Sequence, residues 1–213
     1  MSAMPHRHTP ATWFTTTGRL VAASAALALS ACAVSQTPAS KAVYDFGAVA
    51  TTTITAVGAP AFSSALTLAE VDAGLALDNT AVKYRLAYAN PQELRPYALA
   101  RWTMPPAQLI QQRVHSVLAA RGPVLAPGVG SAAYTLKLEL EEFSQVFSSP
   151  NASQGAMQLR ATLLKGTTLA AQRSFSTQMP APTADASGGV RALATAADEV
   201  AQQLSDWVGE SMR

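Results

Sequence analysis

From Tyr134 to Glu141 the chain alternates without an error. Tyr134, Leu136, Leu138 and Leu140 point one way; Thr135, Lys137, Glu139 and Glu141 point the other. Such a strand has one buried face and one wet face. It belongs to a sheet that helices cover on a single side, not to a parallel sheet covered on both. The alternation fails at Phe143, which predicts a bulge or a strand end near Glu142.

The surrounding patterns fit that frame. Val43 to Gly47 is short and β-prone, Ala65 to Val71 alternates weakly, and Val82 to Tyr88 sets Val82, Tyr84, Leu86 and Tyr88 against Lys83 and Arg85. Gly155 to Leu164 and Leu169 to Met179 read as two strands, with Lys165-Gly166-Thr167-Thr168 as their hairpin turn. One helix starts at Pro105-Pro106 and stops at Gly122-Pro123, with an apolar stripe of Leu109, Ile110, Val114, Val117 and Leu118. A second runs from about Ser187 to Ser211, with Leu193, Ala197, Val200, Leu204, Trp207 and Val208 inward and Asp198, Glu199, Asp206 and Glu210 outward. Residues 179 to 189 read as a Pro/Ala/Gly linker into it. The order predicts an α+β fold: a mixed or antiparallel sheet with two amphipathic helices packed on one face.

Residues 1–19 hold Arg7 and Arg19 and no acid, and Leu20 to Leu29 is an unbroken small and apolar run. A basic start, a run of that length and small residues after it make a secretory signal. The run is too short for the ~20 residues that span a bilayer. Leu29-Ser30-Ala31-Cys32 resembles the bacterial lipobox, and Cys32 is the chain's single cysteine. The resemblance implies cleavage before Cys32 and acylation of it, by palmitate and similar chains. Each buried methylene stabilises the anchor by ~0.8 kcal/mol, and two or more chains hold it stably. Ala33, where Asp would signal retention at the inner membrane, implies the periplasmic face of the outer membrane. The expected division is a signal peptide over 1–31, a lipidated small and polar tether over 32–42, and one domain over 43–213. Fully extended, the nine residues from Ala33 to Lys41 reach ~30 Å.

Composition removes several function classes. The chain is 49% hydrophobic and 13% charged, too apolar for disorder. Beyond residue 31 it carries 13 basic and 13 acidic side chains, so its basic isoelectric point gives no basis for nucleic-acid binding. One cysteine excludes an internal disulfide framework. Of three histidines only His115 lies past residue 8. It falls mid-helix between Arg113 and Arg121, where a surface or half-buried place is expected rather than a catalytic one. No nucleophile elbow, metal motif or phosphate loop is present. The Glu139, Glu141, Glu142 run reads as a solvated sheet face. No catalytic residue, metal or cofactor is expected, and the chain is not expected to be an enzyme.

The unusual stretch is Tyr84 to Pro106. It holds four of the chain's eight Tyr and Trp residues. Tyr84, Arg85, Tyr88, Tyr97, Arg101 and Trp102 have the chemistry of binding hot spots, large area with a polar tip. They also suit a loop whose aromatics cap the core below the first helix. Both readings stand open at this point.

A Tyr-Arg strand, a loop ending in Tyr-x-x-x-Arg-Trp, a proline and an amphipathic helix resembles the ABC-type transport auxiliary lipoprotein family. Here these are Tyr84-Arg85, Tyr97, Arg101-Trp102, Pro105-Pro106 and Leu109 to Leu118. The strand from Tyr134, Phe143, the Phe175 strand and the helix with Trp207 extend the likeness. Members, the paraquat-inducible lipoprotein among them, look like outer-membrane-anchored partners of MCE-type ABC systems that move phospholipid between membranes. The resemblance implies a non-catalytic docking role, an MCE-domain partner, outer-membrane anchoring and a possible homo-oligomer. Alternatives are a lipid-binding carrier or chaperone, a generic envelope-assembly lipoprotein and, from another class, a periplasmic hydrolase using Ser and His115.

Overall fold

The computed structural model describes residues 40–48 and 62–213. The lipobox Leu29-Ser30-Ala31-Cys32 and most of the tether lie outside the described residues. The elements are β1 (Ala42–Tyr44), β2 (Leu66–Ala73), β3 (Ala81–Leu86), β4 (Asn90–Trp102), α1 (Pro106–Ala119), β5 (Val124–Leu125), β6 (Tyr134–Ser149), β7 (Ala152–Lys165), β8 (Thr168–Pro180) and α2 (Ala186–Ser211). Among the described residues the fold is α+β, a mixed eight-stranded sheet with two helices.

The sheet is organised around β6, sixteen residues long. One of its edges pairs antiparallel with β7 from Tyr134↔Lys165 to Ser149↔Ala152, and β7 pairs antiparallel with β8. Its other edge is shared. β2 lies parallel to it over Tyr134 to Leu140, and β3 lies parallel to it over Gln145 to Phe147. β2 carries β5 outward, while β3 carries β4 and then β1.

The fork coincides with a bulge. Leu140 pairs with Leu159 but Glu142 pairs with Gln158, so one extra β6 residue is accommodated there. The extra residue shifts the phase of the strand. Tyr134, Leu136, Leu138 and Leu140 are buried before it, and Phe143, Gln145 and Phe147 after it. Both halves therefore turn their inward residues to the helix side, which is why the alternation breaks at Phe143. Outside, Arg160 pairs with Glu139 and Glu141, and Arg85 Nη2 lies 3.1 Å from Glu142 Oε2. The glutamate run is a solvated sheet face neutralised by arginines.

The helices form a second layer. α2 lies on β6, β7 and β8, α1 lies on β2 and β5, and the two helices touch each other. Leu193, Ala196, Ala197, Val200 and Leu204 of α2 join Leu136, Leu138, Leu159, Leu163 and Phe175 of the sheet in one buried cluster. Pro106 opens α1, where its missing N–H costs nothing. Asp185 caps α2, accepting from the Gly188 N–H at 2.7 Å. The β7–β8 hairpin turns on Gly166-Thr167 as expected, with Gly166 at φ +58°, the first position of a II′ turn.

Two expectations are corrected. The stretch before Arg101-Trp102 is a strand, β4, not a loop. Pro91 and Pro96 hid it, yet a strand paired along most of its length on one side only accepts prolines on the open side and at bulges. β4 bulges here: Lys83 pairs with Pro96, but Ala81 pairs with Arg101. The stretch read as a linker over 179–189 is only a short connection, because β8 runs to Pro180 and Gly188 and Gly189 lie inside α2. Arg113 is buried, while His115, expected at a surface or half-buried place, is exposed. The Arg113 Nη2 donates to the carbonyls of Phe46 (2.8 Å) and Gly47 (3.0 Å), and Nη1 lies 3.0 Å from Asp198 Oδ1. One α1 cation thus holds the chain after β1 and the flank of α2. Burial keeps the Asp198 carboxyl above its ordinary range despite the attraction of Arg113.

The closeness of α2 to the sheet depends on Gly155 in β7. A Cβ there would lie 2.7 Å from the Leu193 nitrogen and 2.8 Å from the Ala192 carbonyl carbon, both helix backbone. Gly155→Ala should lower unfolding stability by about 1–3 kcal/mol, the usual cost of overpacking. A urea melt would show it as a lower midpoint at nearly unchanged slope.

Candidate functional site

The six residues singled out between Tyr84 and Trp102 do not form one surface. β3 and β4 pair as a hairpin, with Tyr84 opposite Arg95. Alternation sends Tyr84 to the helix side and Arg85 to the outer side. The outcome is four separate environments.

Trp102 belongs to the core. It is 1% exposed and packs edge-on against Phe46 at 5.6 Å and tilted against Phe143 at 5.7 Å. The third pair, Phe46 and Phe143, closes the aromatic triangle at 5.8 Å. Trp102 supports the surface from below and offers none of its own.

Tyr84 and Tyr97 stack on the helix side, their ring centroids 4.5 Å apart, and the Phe147 ring stands 6.0 Å from Tyr84. The Tyr97 hydroxyl donates to Gln145 Oε1 at 2.8 Å, and Gln145 Nε2 donates to Ser153 Oγ at 2.7 Å. Gln145 is fully buried. The start of α2 rests on it, since a Cβ on Gly189 would lie 2.0 Å from Gln145 Oε1. The two tyrosines are half-buried, so one ring edge of this stack reaches solvent beside the N-terminus of α2. Burial pushes the Tyr97 phenol well above its ordinary value, and the nearby Tyr84 and Asp185 push the same way. Asp185 is held below its ordinary range, chiefly by the Gly188 N–H and then by the Thr183 hydroxyl.

Arg85 is on the outer face, ion-paired with Glu142 and reaching the Gln92 carbonyl at 3.5 Å. Tyr88 is 49% exposed in the turn joining β3 to β4. Arg101 is exposed on the outer face opposite Val43 of β1. Sequence reasoning missed Gln145 and Ser153, which carry no signal beyond being polar in strands. It also missed Arg113, which had a signal: it sits four residues after Leu109 and four before Val117, within the buried stripe.

The hairpin brings together an aromatic ledge, an exposed tyrosine at its tip and fixed hydrogen bonds beneath. Among the described residues no group of three or more His, Cys, Asp and Glu stands close enough to hold a metal ion. Among them, too, no helix is long and apolar enough to cross a membrane.

The fold is that of an α+β domain with two helices on one face of a mixed sheet, and comparison with known families names it. Residues 44–205 match the model of the ABC-type transport auxiliary lipoprotein component, so the chain belongs to that family. No curated protein matches the chain. Among solved structures, protein XCC0632 from Xanthomonas campestris, of the DUF330 family, is similar at 21% identity. It aligns with a TM-score of 0.67 over 73% of this chain and 89% of that one. A protein described only as uncharacterized aligns with a TM-score of 0.63 at 14% identity, over 79% of this chain and 99% of that one. At these identities the likeness establishes the shared fold.

The raised Tyr97 phenol has a defined consequence. The folded chain keeps this proton at pH values where the unfolded chain, with phenols near ~10, releases it. Its contribution is fully present below that value and is lost as pH rises above it. Urea midpoints from about pH 9 upward should fall more steeply in the parent than in Tyr97→Phe. Parallel curves for the two would exclude this role.

Proposed function

We propose that this chain is a lipid-anchored, non-catalytic docking component that holds the periplasmic end of an MCE-type phospholipid-transport ABC system at the outer membrane. The reading rests on family membership and on one observation of the fold. The β3–β4 hairpin presents Tyr88 at its tip and the Tyr84–Tyr97 ledge behind it, on a scaffold stiffened by Gln145. Tyrosines on a rigid support bury large area at low entropic cost, which suits them to partner recognition. The anchor is Cys32, from the lipobox reading of Leu29 to Cys32.

Two observations favour docking over the alternatives. A carrier needs an apolar cavity between helices and sheet, and there Leu136, Leu159, Leu193, Val200 and Leu204 are fully buried against one another. A hydrolase needs His115 beside a nucleophile and an acid. His115 stands exposed on α1, and among the described residues no hydrogen bond or ion pair reaches it.

Affinity capture of the full chain from detergent-solubilised membranes should recover an MCE-domain protein. Tyr88→Ala should reduce that recovery by roughly tenfold, the effect of losing one hot-spot side chain, while leaving the melting temperature unchanged. Capture of envelope-assembly proteins without an MCE-domain protein would support the generic assembly role instead. Mass spectrometry should find acyl chains on Cys32, and Cys32→Ala should move the protein from the membrane to the soluble periplasmic fraction.

A further inference from the structure

The outer face around β1 is unlike the rest of the sheet surface. Elsewhere on that face arginines answer the glutamates: Arg160 with Glu139 and Glu141, Arg85 with Glu142. Around β1, the side chains of Lys41, Lys83 and Arg101 have no ion pair or hydrogen bond among the described residues. Lys41 and Arg101 line one open groove, floored by Ala81 and Pro96 where β4 bulges away from β3. Beside them two large apolar side chains face solvent, Val43 at 48% and Leu99 at 54% exposed. Val43 lies directly opposite Arg101, and Ala81 opposite Arg101 from the other side, so these residues share one face. Two acids stand nearby. Asp45 is exposed but engaged on its own loop, accepting from the Gly47 N–H at 2.8 Å, and Asp78 lies in the turn before β3.

Position gives this patch its occupant. Lys41 is nine residues after Cys32, a reach of at most ~30 Å. The patch is the part of the domain where the tether arrives. Acyl chains at Cys32 keep it within that distance of lipid headgroups, at a high effective concentration. Unpaired cations interleaved with exposed aliphatic side chains are what an anionic bilayer surface attracts, and a basic patch next to an acyl anchor is the usual second membrane signal.

We propose that the face formed by Lys41, Val43, Lys83, Leu99 and Arg101 lies against the anionic headgroups of the membrane that holds Cys32. The proposal rests on the lipid-anchor reading above. It orients the domain: the cationic face is down on the bilayer, and the Tyr88 tip stands at the other end of the β3–β4 hairpin, roughly 20 Å from Ala81 by the rise of an extended strand. Docking and anchoring then use opposite ends of one hairpin, and Arg101 serves the membrane, not the protein partner.

The test uses the full lipidated chain in vesicles, labelled through Leu99→Cys with an environment-sensitive fluorophore; Gln202→Cys on the exposed side of α2, in the layer on the other side of the sheet, is the reference. In phosphatidylglycerol-containing vesicles the label at position 99 should resist iodide quenching and the label at 202 should not. High salt, or phosphatidylcholine vesicles alone, should restore quenching at 99. Lys41→Glu with Arg101→Glu should lower the ratio of docked to free domain by roughly tenfold or more. The milder pair Lys41→Gln with Arg101→Gln should lower it less. Equal quenching at 99 and 202 in protein that still floats with the vesicles overturns the membrane face and leaves the anchor standing. Protection at 99 that needs an added periplasmic extract rather than anionic lipid assigns the patch to a protein partner and also overturns it. An unmodified Cys32 thiol by mass spectrometry removes the anchor, and the proposal falls with it.

Discussion

One extra residue in β6, next to Glu142, governs the architecture. A sixteen-residue strand without it would turn its second half inside out, placing Phe143 and Phe147 in water and Ser144 and Val146 under α2. The bulge keeps both apolar stretches on the helix side, and it falls where the edge of β6 passes from β2 to β3. Bulges bend a strand and increase its twist. The β3–β4–β1 wing therefore departs from the β2–β5 wing at the point where the phase changes.

From that fork the rest follows by burial. α2 covers the continuous β6–β7–β8 side, and its small inward residues, Ala192, Ala196 and Ala197, let its backbone settle onto Gly155. α1 covers the β2–β5 side. Arg113 stitches α1 to the chain after β1 and to Asp198 of α2. A buried cation with only one acidic partner would be costly, but two backbone carbonyls and the Phe46 ring share its charge. The price of Arg113 is offset by its tying three segments together. The β3–β4 hairpin, free of helical cover for much of its length, remains available for recognition.

The separation of the Tyr84–Trp102 cluster illustrates how sheet geometry sorts neighbours in sequence. Trp102 and Arg101 are adjacent, yet one is sealed in the core and the other faces water on the opposite side. Tyr84 and Arg85 part in the same way. Tyr97 meets Tyr84 only because the hairpin folds back, and Gln145 meets Tyr97 only because β6 continues past its bulge to pair with β3. A stretch rich in aromatics and arginines is visible in sequence, but strand alternation decides which of its residues reach the surface.

Much of this was legible in the residues themselves. The period-two pattern from Tyr134, the break at Phe143, the Gly166-Thr167 turn, the proline start of α1 and the stripe of α2 are local signals, and each appears where backbone chemistry requires it. β4 was not legible, because Pro91 and Pro96 erase alternation in a strand whose open side makes them tolerable. The burial of Arg113, the role of Gln145 and the demand for glycine at 155 and 189 were not legible either. Each depends on an atom brought close by a distant segment: the Phe46 carbonyl, the Tyr97 hydroxyl, the backbone of Ala192 and Leu193. The sequence alone determined the period of most elements, the class of fold and the family. Only the tertiary structure decided which face of the hairpin each aromatic and arginine took, because pairing register and side-chain burial are set between segments and not within them.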